Sequence, residues 1–146
     1  MLVIGLIARK KILILIGAPA AALLLAWFLV ASIPPNPRGE FNRIFGESNG
    51  AFAADIATRK PTMMDGHFIW FQMSQEDFDK RIRPQFKETE FTNFHLLRGQ
   101  KLPSGWPQSV ATATSALHKE IDHQEILVYY DIPTRAAYAS VLYDRW

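Results

Sequence analysis

The sequence predicts an α+β protein in which one N-terminal transmembrane helix precedes a small two-layer domain. An uncharged apolar run over residues 12–33 follows three basic residues and predicts the membrane helix. Further along, aromatic and β-branched segments separated by turn residues predict strands. A capped segment between them predicts a helix. We therefore expect an antiparallel sheet with a C-terminal β-hairpin, together with one or two short helices.

The apolar run of residues 12–33 ends at two consecutive prolines. As a helix it would be roughly 33 Å long, close to the roughly 30 Å thickness of the hydrocarbon core of a bilayer. Gly17 and Ala21 have the small-xxx-small spacing that lets membrane helices approach each other. The run therefore predicts a single membrane-spanning helix, and the lipid bilayer is the first partner expected.

Three basic residues, Arg9, Lys10 and Lys11, immediately precede the run. The positive-inside rule places residues 1–11 in the cytoplasm and the domain outside, in the periplasm or the extracellular space. A cleaved signal peptide is the alternative, with residues 30–32 as its cleavage motif. Because the apolar core is longer than the roughly 7–15 residues of a signal peptide, we expect an uncleaved anchor.

Composition excludes several classes of function. The net charge is only +2, and the basic triplet before the anchor accounts for it. The part beyond the anchor lacks the basic surplus of a nucleic-acid-binding domain, so no nucleic acid is expected as a partner. The sequence has no cysteine, which excludes disulfides and thiolate metal sites.

The segment after the anchor is predicted to begin as a linker. Three prolines within residues 34–39 favour extended polyproline II geometry. The extracytoplasmic domain is then expected over residues 40–146. It should begin with a helical turn over 40–45 and a turn over 46–50. Residues 51–58 fit either a strand or a helical piece.

Residues 67–73 predict a strand, because aromatic and branched side chains follow Asp65-Gly66. Apolar residues on both of its faces indicate a central position in the sheet, or a face covered by the linker or a partner. Ser74 is expected to cap a short helix. Pro84 should end or kink this helix near residues 82 and 83, because the residue before a proline disfavours helical geometry.

Residues 90–97 predict a second strand, and residues 98–107 a loop. Residues 110–121 fit two patterns. The helical pattern has an apolar face at Val110, Ala113, Leu117 and Ile121, whereas a strand would align Val110, Thr112 and Thr114. We expect a helix. Residues 125–131 and 136–144 predict a hairpin whose turn contains Pro133.

The closest approach to a metal site is the group His118, Asp122 and His123. On a helix His118 and Asp122 would share a face, but His123 would lie to the side. A catalytic zinc site needs three protein ligands that converge on one point. We therefore expect a solvated turn before the last hairpin and neither a metal nor another cofactor.

No complete catalytic pattern is present in the sequence. Residues 46–50 have the GxSxG spacing around Ser48, but a helical turn and not a strand is predicted before them, so no nucleophile elbow is expected. The glycines form no phosphate-binding loop. Asp65 and His67 could pair as an orienting carboxylate and a base, but no nucleophile accompanies them. No catalytic or cofactor-binding residue is predicted, and an enzyme is not the expected function.

Three tryptophans are predicted to be interaction residues: Trp70, Trp106 and Trp146. Tryptophan is enriched in interface hot spots, although Trp106 could instead be a lid over the core. We therefore expect a membrane-anchored binding or accessory domain whose partner is a membrane or envelope protein. An immunity-type protective binder is the alternative. A ligand sensor or hydrolase would need a pocket that gathers carboxylates with His67, His95 or His118.

Overall fold

The computed structural model describes residues 18–61, 66–90 and 102–143. The chain forms two compact units, Met1–Ile33 and Pro34–Trp146. In the first, helix α1 spans Ala18–Ser32. Its exposed large apolar side chains include Leu23, Leu24, Leu25, Trp27, Leu29 and Val30.

Within the described residues, no single helix is long and apolar enough to cross a membrane. The pair formed by α1 and the next helix, Pro37–Phe45, meets the criteria of length and composition only when the two are taken together across a break. Of the residues predicted to serve the membrane, Ala21 lies in α1. The others lie outside the described residues: Arg9, Lys10, Lys11 and Gly17.

The second unit confirms the α+β class, since its described residues form an antiparallel sheet of six strands. Their order across the sheet is β1-β2-β6-β5-β4-β3. The strands are β1 (Ala54–Arg59), β2 (Gly66–Gln72), β3 (Lys87–Glu90), β4 (Ser115–Ile121), β5 (Gln124–Asp131) and β6 (Ala136–Tyr143).

Helix α2 spans Pro37–Phe45, so the segment predicted as a linker is helical in its second half. The Asn36 side chain caps this helix by accepting hydrogen bonds from the backbone N–H groups of residues 38 and 39. Proline at the first helical position has the required φ and lacks only an N–H that would be unpaired there. A 3₁₀ turn, Glu47–Ala51, leads to β1 and forms the turn predicted over 46–50.

Strand β2 confirms the strand predicted over 67–73, and it lies inside the sheet between β1 and β6. The predicted cap at Ser74 is also confirmed, since its Oγ accepts a hydrogen bond from the backbone N–H of Asp77 at 3.1 Å. The helix α3, Gln75–Asp77, continues as the π-helical turn Phe78–Ile82 and a 3₁₀ turn. The predicted end or kink near residues 82 and 83 is confirmed, because the π-helical turn ends at Ile82 and the 3₁₀ turn Arg83–Gln85 begins at the residue before Pro84.

The helix predicted over 110–121 is wrong. Only the single turn α4, Gln108–Ala111, is helical, and Ser115–Ile121 forms β4 between β3 and β5. The spacing of the apolar residues fits both a helix and a strand, and pairing with two neighbouring strands selects the extended form. Asp122 and His123 have φ values of 47° and 61°. Positive φ at both residues is what a two-residue type I′ hairpin turn requires.

The hairpin of β5 and β6 is confirmed, with Asp131 opposite Ala136 at its turn. Asp131 Oδ2 accepts hydrogen bonds from the backbone N–H and the hydroxyl of Thr134, and Oδ1 accepts one from Ser109. The strand predicted over 90–97 lies outside the described residues except for Glu90, which ends β3.

The two faces of the sheet are covered differently. The face that we call the helix face packs against α2 and residues 75–85, and it forms the main core. Among its fully buried side chains are Phe41, Ile44, Phe45, Ile69, Phe71, Phe78, Ile82 and Ile126. The opposite face, which we call the open face, is covered by residues 102–113. Its smaller cluster includes Val110, Leu127 and Tyr138, with Trp70 and Trp106 packed against it.

Candidate functional site

A cavity of about 470 Å³ lies on the open face, bordered by β1, β2, β6 and the loop that precedes α4. We call it the aromatic groove. It is lined by Ala57, Thr58, Arg59, Phe68, Trp70, Pro103, Ser104, Gly105, Trp106 and Tyr138. Its volume lies within the roughly 300–1,000 Å³ that is typical of ligand pockets.

Strand pairing brings the aromatic walls together. In the ladder between β2 and β6, Trp70 lies directly opposite Tyr138. In the ladder between β1 and β2, Ala57 lies opposite Trp70, and Arg59 lies opposite Phe68. Side chains at opposed positions share a face of the sheet. The small side chain of Ala57 beside the large indole therefore leaves space at the edge strand.

Trp106 forms the wall that the loop contributes. Its indole ring meets the ring of Phe68 edge-on, with centroids 5.2 Å apart, and the ring of Tyr138 likewise at 4.8 Å. Edge-to-face pairs of this kind are favourable because ring edges are positive and ring faces negative. Gly105, with φ of 93°, makes the turn that aims the indole at the sheet. Trp106 is thus both a lid on the sheet and a wall of the groove.

Arg59 gives the groove its charge. Among the described residues that line the cavity, Arg59 alone carries a charge. Its Nη1 donates a hydrogen bond to the hydroxyl of Ser104 at 3.2 Å, which connects β1 to the loop. Thr58, next to it, donates a hydrogen bond to the carbonyl of Pro35 at 2.6 Å. The groove therefore combines apolar walls with a single cationic rim.

A second polar cluster lies on the helix face. His67 Nε2 is 2.9 Å from Glu40 Oε1, although the ring N–H is not well aligned with that oxygen. Arg43 donates from Nε to Glu40 Oε2 at 3.0 Å. Burial alone would raise the pKa of Glu40, but its interactions with His67 and Arg43 outweigh this effect and lower the pKa to about 2.

The central pair of this cluster, His67 and Glu40, is largely enclosed. The side chain of His67 is 2% exposed and that of Glu40 12%. Nearby, burial raises the pKa of the Tyr143 hydroxyl. None of these three residues lines the aromatic groove, so the cluster and the groove are separate features of the two faces.

The residues considered for a metal site do not converge. His118 lies on β4, where its Nε2 is 3.7 Å from Glu125 Oε1, and it pairs with Leu127 across the ladder. Asp122 and His123 form the adjacent hairpin turn and not part of a helix face. In the three described stretches of chain, no group of three or more histidine, cysteine or acidic residues is arranged to hold a metal ion.

The structure brings together two of the three tryptophans predicted to be interaction residues. Trp70 and Trp106 line the same groove, whereas Trp146 lies outside the described residues. The sequence did not indicate Arg59 or Tyr138. Strand alternation could have placed Tyr138 on one face of β6, but its position opposite Trp70 depends on which strands pair.

The pocket that a sensor or hydrolase would need is not formed by the described histidines. His67 is enclosed on the helix face, and His118 is on β4 away from the groove lining. His95 and Asp65 lie outside the described residues. The hydroxyl of Ser104 faces Arg59 and not a histidine.

Comparisons with protein-family models, with curated proteins and with solved structures find no significant match to this chain.

Proposed function

We propose that this protein is a single-pass membrane protein whose extracytoplasmic domain binds a segment of a partner protein in the aromatic groove. The observation that carries the proposal is the concave site on the open face, where Trp70, Trp106 and Tyr138 meet. Tryptophan and tyrosine dominate interface hot spots because they bury a large area and keep a polar handle.

The membrane anchor is supported by the first unit of the chain. Helix α1 exposes large apolar side chains along its length, a composition that suits lipid better than water. The uncharged run begins at residue 12, directly after Arg9, Lys10 and Lys11. This order favours a cytoplasmic N-terminus and a periplasmic or extracellular domain.

The edges of the sheet favour recognition on its face. At β1, the ladder has a bulge between Ala54 and Ala57, and Asp55 there has φ of 49°. At the opposite edge of the described sheet, β3 reads Lys-Glu-Thr-Glu. Bulges and charged side chains are usual protections against pairing with another chain. Strand addition is therefore disfavoured at both edges of the described sheet, and the groove is the better binding surface.

Anchoring would assist such binding. A domain attached to the bilayer stays in a thin layer beside other membrane proteins, which raises its effective concentration for a neighbouring partner. A groove of modest affinity can then be occupied most of the time. This role agrees with an accessory subunit better than with a freely diffusing binder.

Capture of the partner tests the groove. The full-length tagged chain would be purified in a mild detergent as wild type, as Trp106→Ala, and as Ile132→Ala. The last variant is the matched control, because it removes an exposed apolar side chain outside the groove. We expect a defined partner with wild type and control, and at least tenfold less with Trp106→Ala. Equal recovery with all three would refute binding in the groove.

A photo-crosslinker locates the contact directly. Ala57 is exposed and lines the groove, so a benzophenone amino acid placed there would lie beside a bound segment. We expect a crosslink to the captured protein from position 57 and none from position 132. Crosslinking from position 132 alone would place the partner elsewhere on the domain.

Topology is tested by chemical labelling. Since the chain has no cysteine, Glu47→Cys introduces a unique thiol at an exposed position of the domain. A membrane-impermeant maleimide should label it from outside intact cells or spheroplasts. Labelling only after the membrane is permeabilised would contradict an extracytoplasmic domain.

A further inference from the structure

We infer that the groove recognises an acidic-aromatic segment of the partner, in which an aromatic side chain enters the groove and an adjacent carboxylate pairs with Arg59. This inference rests on the proposed function and adds the chemistry of the partner to it. The aromatic ring would pack against Trp70, Trp106 and Tyr138, and Arg59 would be the residue that determines specificity.

The charge of Arg59 supports an acidic ligand. Three other arginines are paired with carboxylates of the same chain: Arg43 with Glu40, Arg81 with Asp77, and Arg83 with Asp79 and Glu88. Arg59 differs from them. Within the described chain it has no carboxylate partner, and the neutral hydroxyl of Ser104 is its hydrogen-bond acceptor. A guanidinium has several donors, so most of them are available to a carboxylate of a ligand.

The walls support an aromatic group next to that carboxylate. Phe68 and Tyr138 are buried, whereas Trp70 and Trp106 are half-buried, and all four line the cavity. An aromatic side chain can repeat the edge-to-face contacts that Trp106 already makes with Phe68 and Tyr138. An aliphatic group would fill the space without this electrostatic gain.

A protein segment fits these features better than a lipid surface does. Recognition of anionic lipids depends on clusters of several basic residues. The described lining of the groove supplies one. The site is also concave, whereas a bilayer presents a flat surface that an indented site contacts poorly. A short segment of chain can place one ring and one carboxylate in such a groove.

Three peptides test this chemistry. They are acetyl-Gly-Phe-Asp-Gly-amide, the same peptide with Asn in place of Asp, and the same peptide with Ala in place of Phe. Each would be titrated by calorimetry into the full-length chain in a mild detergent, with empty micelles as the baseline. We expect the Asn peptide to bind about threefold to fivefold more weakly, as for an exposed ion pair. The Ala peptide should bind at least tenfold more weakly.

Two variants assign the preference to Arg59. Arg59→Gln retains a hydrogen-bonding side chain and removes the charge, so it should bind the Asp and Asn peptides equally. Arg135→Gln is the matched control, because Arg135 is exposed and lies outside the groove lining. It should retain the preference for Asp. Both positions are on the surface, so we expect both variants to fold with nearly unchanged stability.

Several outcomes would overturn the inference. These are no binding of the Phe-Asp peptide, equal binding of the Asp and Asn peptides by wild type, and an unchanged preference in Arg59→Gln. Binding of anionic lipid vesicles that depends on Arg59 would identify a lipid ligand instead. If partner capture still required Trp106, only the acidic-aromatic chemistry would fail. If capture did not require Trp106, the proposed function itself would fail.

Discussion

The two faces of the sheet carry similar side chains, but one face is fully packed and the other retains a cavity. On the helix face, Phe41, Phe45 and Phe71 form a triangle with ring centroids 4.9 to 5.0 Å apart, and all three are fully buried. On the open face, Trp106 meets Phe68 and Tyr138 at similar distances, but a cavity of about 470 Å³ remains beside them. Aromatic content therefore does not decide whether a face is closed.

What differs is the element that covers each face. A helix presents side chains at regular intervals, so α2 delivers Phe41, Ile44 and Phe45 to the sheet from successive turns. A loop with a single helical turn delivers fewer side chains at irregular intervals, and its own backbone needs hydrogen bonds. Space is left where the loop cannot fill the sheet surface. Binding sites concentrate on loops held by a rigid scaffold for this reason.

The largest effect is expected on the helix face. Phe71 is fully buried and contacts Phe41 and Phe45. We expect Phe71→Ala to lower the free energy of unfolding by about 3–5 kcal/mol, because it removes a large buried ring and leaves a cavity. Urea denaturation of the full-length chain would measure this change. A loss below about 1 kcal/mol would show that the helix face is not the main core.

Local patterns predicted those elements whose signals do not depend on tertiary contacts. The hairpin of β5 and β6 has two β-rich segments around a turn with Pro133, and Ser74 has a hydroxyl that can cap the helix after it. Residues 110–121 lack such a signal. Their spacing fits a helix and a strand equally, and contact with β3 and β5 decides between the two. A turn at Asp122 and His123 was expected, but its type I′ hairpin geometry was not, because neither residue is the glycine usual in such turns.

The groove was less predictable than the fold. Trp70 and Trp106 could be singled out because tryptophan is enriched in interface hot spots. Their meeting depends on the pairing of β2 with β6, which joins segments distant in sequence. Arg59 has no local signal, since an arginine at the end of a strand is ordinary. The pairing of Glu40 with His67 was missed for the same reason, because α2 and β2 meet only in the folded domain.

A smaller effect on stability is expected on the open face. Trp106 is half-buried and already borders a cavity. Its removal therefore loses less packing than the removal of the fully buried Phe71. We expect Trp106→Ala to lower the free energy of unfolding by about 1–2 kcal/mol, well below the usual cost for a fully buried tryptophan. The same urea experiment applies. A loss as large as that of Phe71→Ala would mean that Trp106 belongs to the core and would weaken its assignment to binding.

A third effect, comparable in size to that of Trp106→Ala at neutral pH and smaller in acid, concerns the charge of Glu40 on the helix face. The pKa of Glu40 is lowered from its ordinary value of 4.5 to about 2 in the folded protein. A lowered pKa means that the folded state holds the carboxylate ionised, so the stabilisation is fully present above pH 4.5. It is lost as the pH falls towards 2, where Glu40 becomes protonated in the folded state as well.

Partial contact with solvent reduces the contribution of the Glu40 carboxylate to the free energy of unfolding. The shift of pKa would correspond to about 3 kcal/mol without screening, and we expect about 1–2 kcal/mol after it. The measurement is the difference in free energy of unfolding between wild type and Glu40→Gln from pH 7 to pH 2. Glu47→Gln is the control for removal of one carboxylate, since Glu47 is exposed. We expect the difference for Glu40→Gln to shrink below pH 4.5. A constant difference would show that Glu40 acts through packing alone, and the two faces would then differ only in how completely they are covered.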